Sequence, residues 1–120
     1  MPLQIILPWP DMKLSTNRSK GVHWASLSAA RGRRRSDAHI LALQAIRAAG
    51  FVAPAGDVPV SIVFVYPTMA RRDRDNLLAS LKHDLDGISA ALGIDDEHFE
   101  PITLRREYGK KPGSVIVEIG

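Results

Sequence analysis

The segment RRDRDNLLASLKHDLDGISAALGIDDEHF, residues 71–99, comes shortly after an apolar segment, VPVSIVFVY, at residues 58–66. The apolar segment is hydrophobic on both faces from Ile62 to Tyr66, which is typical of a central strand covered on both sides. In the longer segment, apolar residues recur at helical spacing and predict a helix over residues 75–92 that ends at Gly93. A buried strand therefore leads through a short polar stretch into a helix.

The rest of the chain supplies further elements on both sides of this pair. Residues 3–7 predict a first strand, and a helix is expected from an N-cap at Ser36, with Ile40 on its apolar stripe, to a stop at Gly50. Residues 102–107 and 114–119 predict two last strands, expected to pair as a hairpin. The order β-α-β-α-β-β predicts one α/β (α+β) domain over residues 1–120, a mixed sheet with helices packed against it.

Positive charge is concentrated in two flanks, residues 1–35 and residues 105–111, around an acidic centre. The net charge of the chain is only +3, but residues 11–35 form a basic region whose first part, residues 11–32, is expected to be a long loop. Basic side chains of this kind attract a polyanion by releasing its counterions. They also serve as an ordinary solvated surface, and the sequence leaves both interpretations open. The candidate nucleic-acid contacts in this region are Lys13, Arg18, Lys20, Arg33, Arg34 and Arg35.

Several classes of protein are disfavoured by what the sequence lacks. The chain has no cysteine, which excludes disulfides and cysteine-ligated zinc and suits a cytoplasmic location. No apolar run approaches the roughly 20 residues of a membrane helix, so no membrane association is expected. Phosphate-binding glycine motifs are missing as well, and no nucleotide cofactor is expected.

Two pairs of aspartates flank the predicted second helix. Asp73 and Asp75 precede it, two positions apart, and in an extended segment their carboxylates would point the same way. Asp95 and Asp96 follow it. Carboxylates gathered around a hard cation predict a Mg²⁺ site, because Mg²⁺ takes one or two carboxylates and keeps several waters. The alternative is that one of the first pair caps the helix and the second pair lies in a solvated loop.

Cationic side chains accompany these carboxylates. Arg71, Arg72 and Arg74 are interleaved with the first pair and are candidate phosphate contacts. Lys82 falls within a narrow helical arc with Asp75 and Asp86, where it would neutralise charge that builds up in a transition state. The alternative for Lys82 is an ordinary surface pair with Asp86, which is expected to be structural or an outer carboxylate.

Together these features resemble the RusA family, small endodeoxyribonucleases of bacteria and their phages that resolve Holliday junctions. The resemblance is carried by LPWP at residues 7–10, RRDRDNLL at residues 71–78, Gly87, and IDD at residues 94–96. It implies a Mg²⁺-dependent homodimer that cuts four-way branched DNA by paired symmetric incisions during recombination and repair. By position, the family's catalytic aspartates fall on Asp73, Asp75 and Asp96.

The chain departs from the family's pattern at the position of the catalytic lysine. That lysine is often found four residues after the second aspartate, where this chain has Ala79. Lys82 lies one turn further along the predicted helix and is the candidate to replace it. Two rival hypotheses use the same residues: a nuclease acting more broadly on branched DNA, and a non-catalytic basic module that binds nucleic acid.

Overall fold

The structure is a computed structural model that describes residues 2–10 and 24–120. Within these residues the chain forms four strands and three helices, in the order expected except that the second predicted helix is divided in two. Their bounds are β1 Leu3–Pro8, α1 Trp24–Ala49, β2 Val58–Tyr66, α2 Arg74–Ser80, α3 Lys82–Leu92, β3 Phe99–Tyr108 and β4 Ser114–Ile119. A short 3-10 turn, Asp96–His98, precedes β3. In the described part of the chain, no helix combines the length and apolar character needed to cross a membrane.

The four strands form one mixed sheet in the order β1-β4-β2-β3. Strands β2 and β3 are parallel, and β4 runs antiparallel to both β1 and β2. The mixed sheet was expected, but the predicted hairpin of the last two strands is wrong, because β4 lies between β1 and β2. Burial explains the choice: β4 buries Val115, Val117 and Ile119, whereas most of β3 is exposed and suits an edge.

Helix α1 begins much earlier than predicted. The expected loop over residues 11–32 is wrong for residues 24–32, which are helical, and Ser36 is an exposed residue inside the helix rather than its cap. The predicted apolar stripe is also wrong at Ile40, which is half exposed, because Ala38 and Ala42 face the core instead. Arginine is a good helix former, so the arginine-rich stretch extends the helix. The end at Gly50 is confirmed: the helix stops at Ala49, and Gly50 has a positive φ of 63°.

The predicted helix over residues 75–92 is interrupted at Leu81. Its N–H donates to the carbonyl of Leu78, three residues back, at 3.0 Å, which closes α2 before α3 begins. The Leu81 side chain is fully buried, and the core positions predicted for this segment at Leu77, Leu85 and Ile88 are confirmed. Gly93 ends α3 in the left-handed conformation expected of a C-terminal glycine.

Helices α1 and α3 pack closely across Gly87 and are joined by a buried ion pair. A Cβ on Gly87 would collide with the backbone carbonyl of Arg35. One turn away, Arg34 donates from Nε to Oδ1 of Asp84 at 2.9 Å and from Nη2 to Oδ2, and its guanidinium also donates to the Pro8 carbonyl at 3.2 Å. Burial raises the pKa of Asp84 to about 6, although the hydrogen bond and charge of Arg34 act in the opposite direction.

Candidate active site

A cavity of about 430 Å³ lies where α2, α3 and the start of β3 meet. Its polar lining consists of two carboxylates and one ammonium group, and the remaining lining is apolar. The lining residues are Asp75, Leu78, Ala79, Lys82, Leu85, Asp96 and Ile102. The structure therefore brings together Asp75, Lys82 and Asp96, three of the four predicted catalytic residues, whereas the fourth, Asp73, does not line this cavity.

Each polar side chain of this cavity is positioned by a helix or turn boundary. Asp75 lies in the first turn of α2, and Lys82 is the first residue of α3, immediately after the interruption at Leu81. Asp96 begins the 3-10 turn, whose N-cap is Asp95: the Asp95 side chain accepts from the Glu97 N–H at 3.0 Å. Asp95 therefore caps this turn, a role that the sequence analysis did not predict for it, and Asp96 is the member of that pair that lines the cavity.

The carboxylates around Asp96 interact with one another. The pKa of Asp96 is raised by burial, by a hydrogen bond with Asp95 and by the charge of Asp86. The pKa of Asp95 is lowered, first of all because it accepts the Glu97 N–H. Neighbouring carboxylates of this kind provide the hard oxygen donors that Mg²⁺ prefers.

The donor set fits Mg²⁺ with a mostly aqueous coordination shell. Among the described residues, no three His, Cys, Asp or Glu side chains are grouped tightly enough to hold a metal on their own. Mg²⁺ does not require such a cage, since it is usually bound by one or two carboxylates, waters and substrate phosphate. Asp75 of α2 and Asp96 of the 3-10 turn line the same cavity and provide two carboxylates.

Asp73 is placed differently from Asp75. It is the N-cap of α2, and its Oδ1 accepts from the Asp75 N–H at 2.9 Å. Because Asp75 is already helical, the expectation that both carboxylates extend in one direction is wrong, and Asp73 lines a second, neighbouring cavity. The capping alternative is therefore confirmed for Asp73.

The second cavity has a volume of about 550 Å³ and is lined by arginines around Asp73. Its lining residues are Arg71, Arg72, Asp73, Arg74 and Arg106. Arg72 is held inward: its guanidinium lies 5.2 Å from the ring centroid of Trp9 and 4.9 Å from that of Tyr66. It also donates to the Ala70 carbonyl at 2.8 Å. The LPWP segment and the arginine run thus contact each other through Arg72.

The other basic candidates are distributed unevenly. Lys13, Arg18 and Lys20 lie outside the described residues. Arg33 and Arg35 are exposed on α1. Arg34 is engaged instead: its side chain is 14% exposed and bound to Asp84, so the expectation of a phosphate contact at Arg34 is corrected to an internal ion pair.

Two residues that matter to these cavities were not among the predicted site residues. Asp86, expected to be structural, lies close enough to Asp96 to raise its pKa. Arg106 lines the arginine cavity from β3. Strand alternation was the available signal for Arg106, because it faces the same side as Leu104 while Arg105 faces the other. Lys82 has no ion pair with Asp86 in the described part of the chain, so the surface-pair alternative is not realised.

Comparison with known proteins identifies a relative of this chain. No family model matches the chain. An uncharacterized protein of Xylella fastidiosa (strain Temecula1 / ATCC 700964) is 36% identical over 115 residues, which cover 96% of this chain and 74% of the relative. The chain belongs to the same family as this uncharacterized Xylella fastidiosa protein.

Proposed function

We propose that the chain is a RusA-like, Mg²⁺-dependent endodeoxyribonuclease that resolves Holliday junctions. The observation that carries the proposal is the convergence of Asp75, Lys82 and Asp96, from three separate elements, on one cavity. A core or capping role explains none of these three side chains. The RusA-like fold is part of the proposal, and the mixed four-stranded sheet with helices is compatible with it.

Asp75 and Asp96 are the residues that would hold Mg²⁺. When bound, the ion supplies Lewis-acid polarisation of the scissile phosphate and a more acidic water. Asp86, whose charge acts on Asp96, would orient that carboxylate. Asp73 fixes the backbone N–H of Asp75 and so positions the start of α2.

Lys82 would stabilise the negative charge that builds on the phosphate during cleavage. Its ammonium group lines the cavity and has no ion-pair partner among the described residues. Ala79 lines the same cavity and leaves space for a lysine that starts one turn later. In this proposal Lys82 replaces the family lysine, and a preorganised cation of this kind is most effective where water is partly excluded.

The basic side chains would hold DNA without reading its sequence, because phosphate contacts carry no base information. In the proposal two copies of the chain act as a homodimer, and each copy cuts one strand of the four-way junction. The proposed location is the cytoplasm of a bacterium, encoded by the host or by a phage.

The proposal is tested by cleavage of a mobile four-way junction and a linear duplex of the same sequence, with Mg²⁺ or with EDTA. Wild type, Asp75→Asn and Lys82→Ala are compared, with Glu118→Gln as the control, because Glu118 is an exposed acid on β4 outside both cavities. We expect paired nicks in the junction with Mg²⁺ for wild type and the control. Removing an essential metal ligand or charge-stabilising group is expected to lower the rate at least about a hundredfold.

The outcomes separate the rival functions. Cutting of the duplex and three-way DNA at the same rate as the junction would favour a broader branched-DNA nuclease. Binding without cutting, in any divalent metal, would refute the enzyme and favour a binding module. In that case Asp75→Asn should tighten DNA binding, because it removes a repulsive charge.

A further inference from the structure

The arginine cavity beside the carboxylate cavity contains more positive charge than the fold uses. It gathers four guanidinium groups around a single carboxylate, that of Asp73. We propose that this cavity binds a DNA backbone phosphate a few nucleotides from the cut, and that Arg106 of β3, together with Arg71 and Arg74, provides the contact. The inference rests on the proposed function for the identity of the ligand as DNA.

Arg72 is not part of this phosphate contact. Its guanidinium is stacked against Trp9 and Tyr66 and donates to the Ala70 carbonyl. By contrast, Arg71, Arg74 and Arg106 are exposed, and none of their side chains has an ion pair or hydrogen bond to another described residue. Three free guanidinium groups facing one carboxylate leave an excess of positive charge, so the cavity favours an anion.

Strand β3 connects the two cavities. Ile102 lines the carboxylate cavity and Arg106 lines the arginine cavity, four positions further along the same face. At about 3.3 Å per residue, their Cα atoms are roughly 13 Å apart. A DNA strand carries a phosphate about every 3.4 Å of axial rise, so the second cavity lies within reach of a phosphate a few nucleotides away.

Neighbouring Arg105 provides a natural control for Arg106. It projects from the opposite face of β3, where its Nη2 lies 3.3 Å from Oε1 of Glu107. The two arginines contribute the same formal charge to the chain. If only net charge mattered, Arg105 and Arg106 would contribute equally to DNA affinity. If a phosphate occupies the arginine cavity, Arg106 would contribute more than Arg105.

Guanidinium chemistry fits the proposed ligand. Arginine presents its donors in a planar fork that pairs with two phosphate oxygens, whereas lysine acts as a point charge. A backbone phosphate entering the cavity would meet guanidinium groups from two elements, the segment before α2 and the edge strand β3. This arrangement would align the DNA strand along β3 toward Asp75 and Asp96.

The test is equilibrium binding of fluorescein-labelled four-way junction and duplex DNA in EDTA, at several NaCl concentrations. The full chain is compared as wild type, Arg106→Gln, Arg105→Gln and Arg106→Lys. Loss of one phosphate contact should lower the slope of log K against log salt by about 0.9, which is roughly an eightfold loss of affinity at 0.1 M salt. Arg106→Gln should show this change and Arg105→Gln should not. Arg106→Lys should keep the wild-type slope, because it keeps the charge.

Binding in EDTA separates this inference from the proposed nuclease activity. If wild type cuts no DNA but Arg106→Gln alone weakens binding, the phosphate cavity stands and the nuclease proposal fails. If wild type cuts junctions but Arg106→Gln and Arg105→Gln bind equally, the cavity is refuted alone. Failure of wild type to bind either DNA also refutes it. Thermal unfolding should match wild type for Arg106→Gln, since no described contact of the fold is lost.

Discussion

The ion pair between Arg34 and Asp84 gives a sharp prediction about stability. The Asp84 side chain is 1% exposed and that of Arg34 14%, so the pair belongs with buried pairs rather than surface ones. Removing one partner of a buried pair leaves an uncompensated charge and costs about 3–5 kcal/mol. A surface pair would contribute about 0–1 kcal/mol. We therefore expect Arg34→Leu to lower the free energy of unfolding by about 3–5 kcal/mol at pH 8.

The loss should depend on pH, because Asp84 can take up a proton. Its folded-state pKa, about 6, is raised above the unfolded value, so the folded protein binds the proton more tightly between those two values. The contribution of Asp84 to stability is then full at low pH, falls as pH rises toward 6, and is constant above that. Without Arg34 the folded-state pKa rises further, and the decline continues above pH 6 at up to about 1.4 kcal/mol per pH unit.

The assay is urea unfolding followed by circular dichroism at pH 5 and pH 8. Arg34→Leu should be much closer to wild type at pH 5 than at pH 8. The double variant Arg34→Leu/Asp84→Leu is the control, because it removes both charges; such replacements are often neutral or stabilising. It should recover most of the loss and show no extra dependence on pH. Equal losses for Arg34→Leu at both pH values, or a double variant as unstable as the sum of the single ones, would refute the reasoning.

Two further variants test the packing around the site. Gly87→Ala should lower the free energy of unfolding by about 1–3 kcal/mol in urea, because its Cβ would overlap the Arg35 carbonyl. Gly32→Ala is the matched control, because a Cβ at this position of α1 would meet open space. It should be about 0.5–1 kcal/mol more stable than wild type, since alanine favours a helix more than glycine does. Equal stability of the two variants would contradict the prediction. Arg72→Gln should lose about 0.5–2 kcal/mol in thermal unfolding, because the guanidinium leaves two aromatic rings. Arg71→Gln is the control, because no contact of Arg71 with these rings is seen, and its thermal stability should equal that of wild type. An equal loss of stability in both variants would show that contact with the rings is not the cause.

Sequence reasoning was most successful where local periodicity is strong. The bounds of β2 and the buried positions Leu77, Leu85 and Ile88 follow directly from the spacing of apolar residues, and the structure confirms them. These core positions depend on neighbours within a few turns of the chain. The expected cover on both faces of β2 is incomplete, because Val63 and Val65 are only half-buried. The grouping of Asp75 with Asp96, which line one cavity, was expected from the two aspartate pairs and from the family resemblance rather than from periodicity.

The errors arose where contacts between distant residues determine the structure. Nothing near Arg34 in the sequence indicates Asp84, fifty positions away, as its partner. Strands β3 and β4 are consecutive and separated by a turn, which predicts a hairpin, yet burial places β4 inside the sheet. The interruption at Leu81 is likewise invisible in a continuous apolar pattern, although it places Lys82 at the start of a new helix.

The central position of β4 has a consequence for how the chain folds. Among the strands that the structure describes, β1 pairs only with β4, and Leu3 pairs with Ile119, 116 positions further along the chain. Closing such a long loop is entropically costly and slows folding compared with local pairing. During synthesis, β1 must wait with an unpaired edge until residues 114–119 have left the ribosome. The sheet that supports both cavities is therefore completed in a late step, and a chaperone that shields β1 would raise the yield of folded protein.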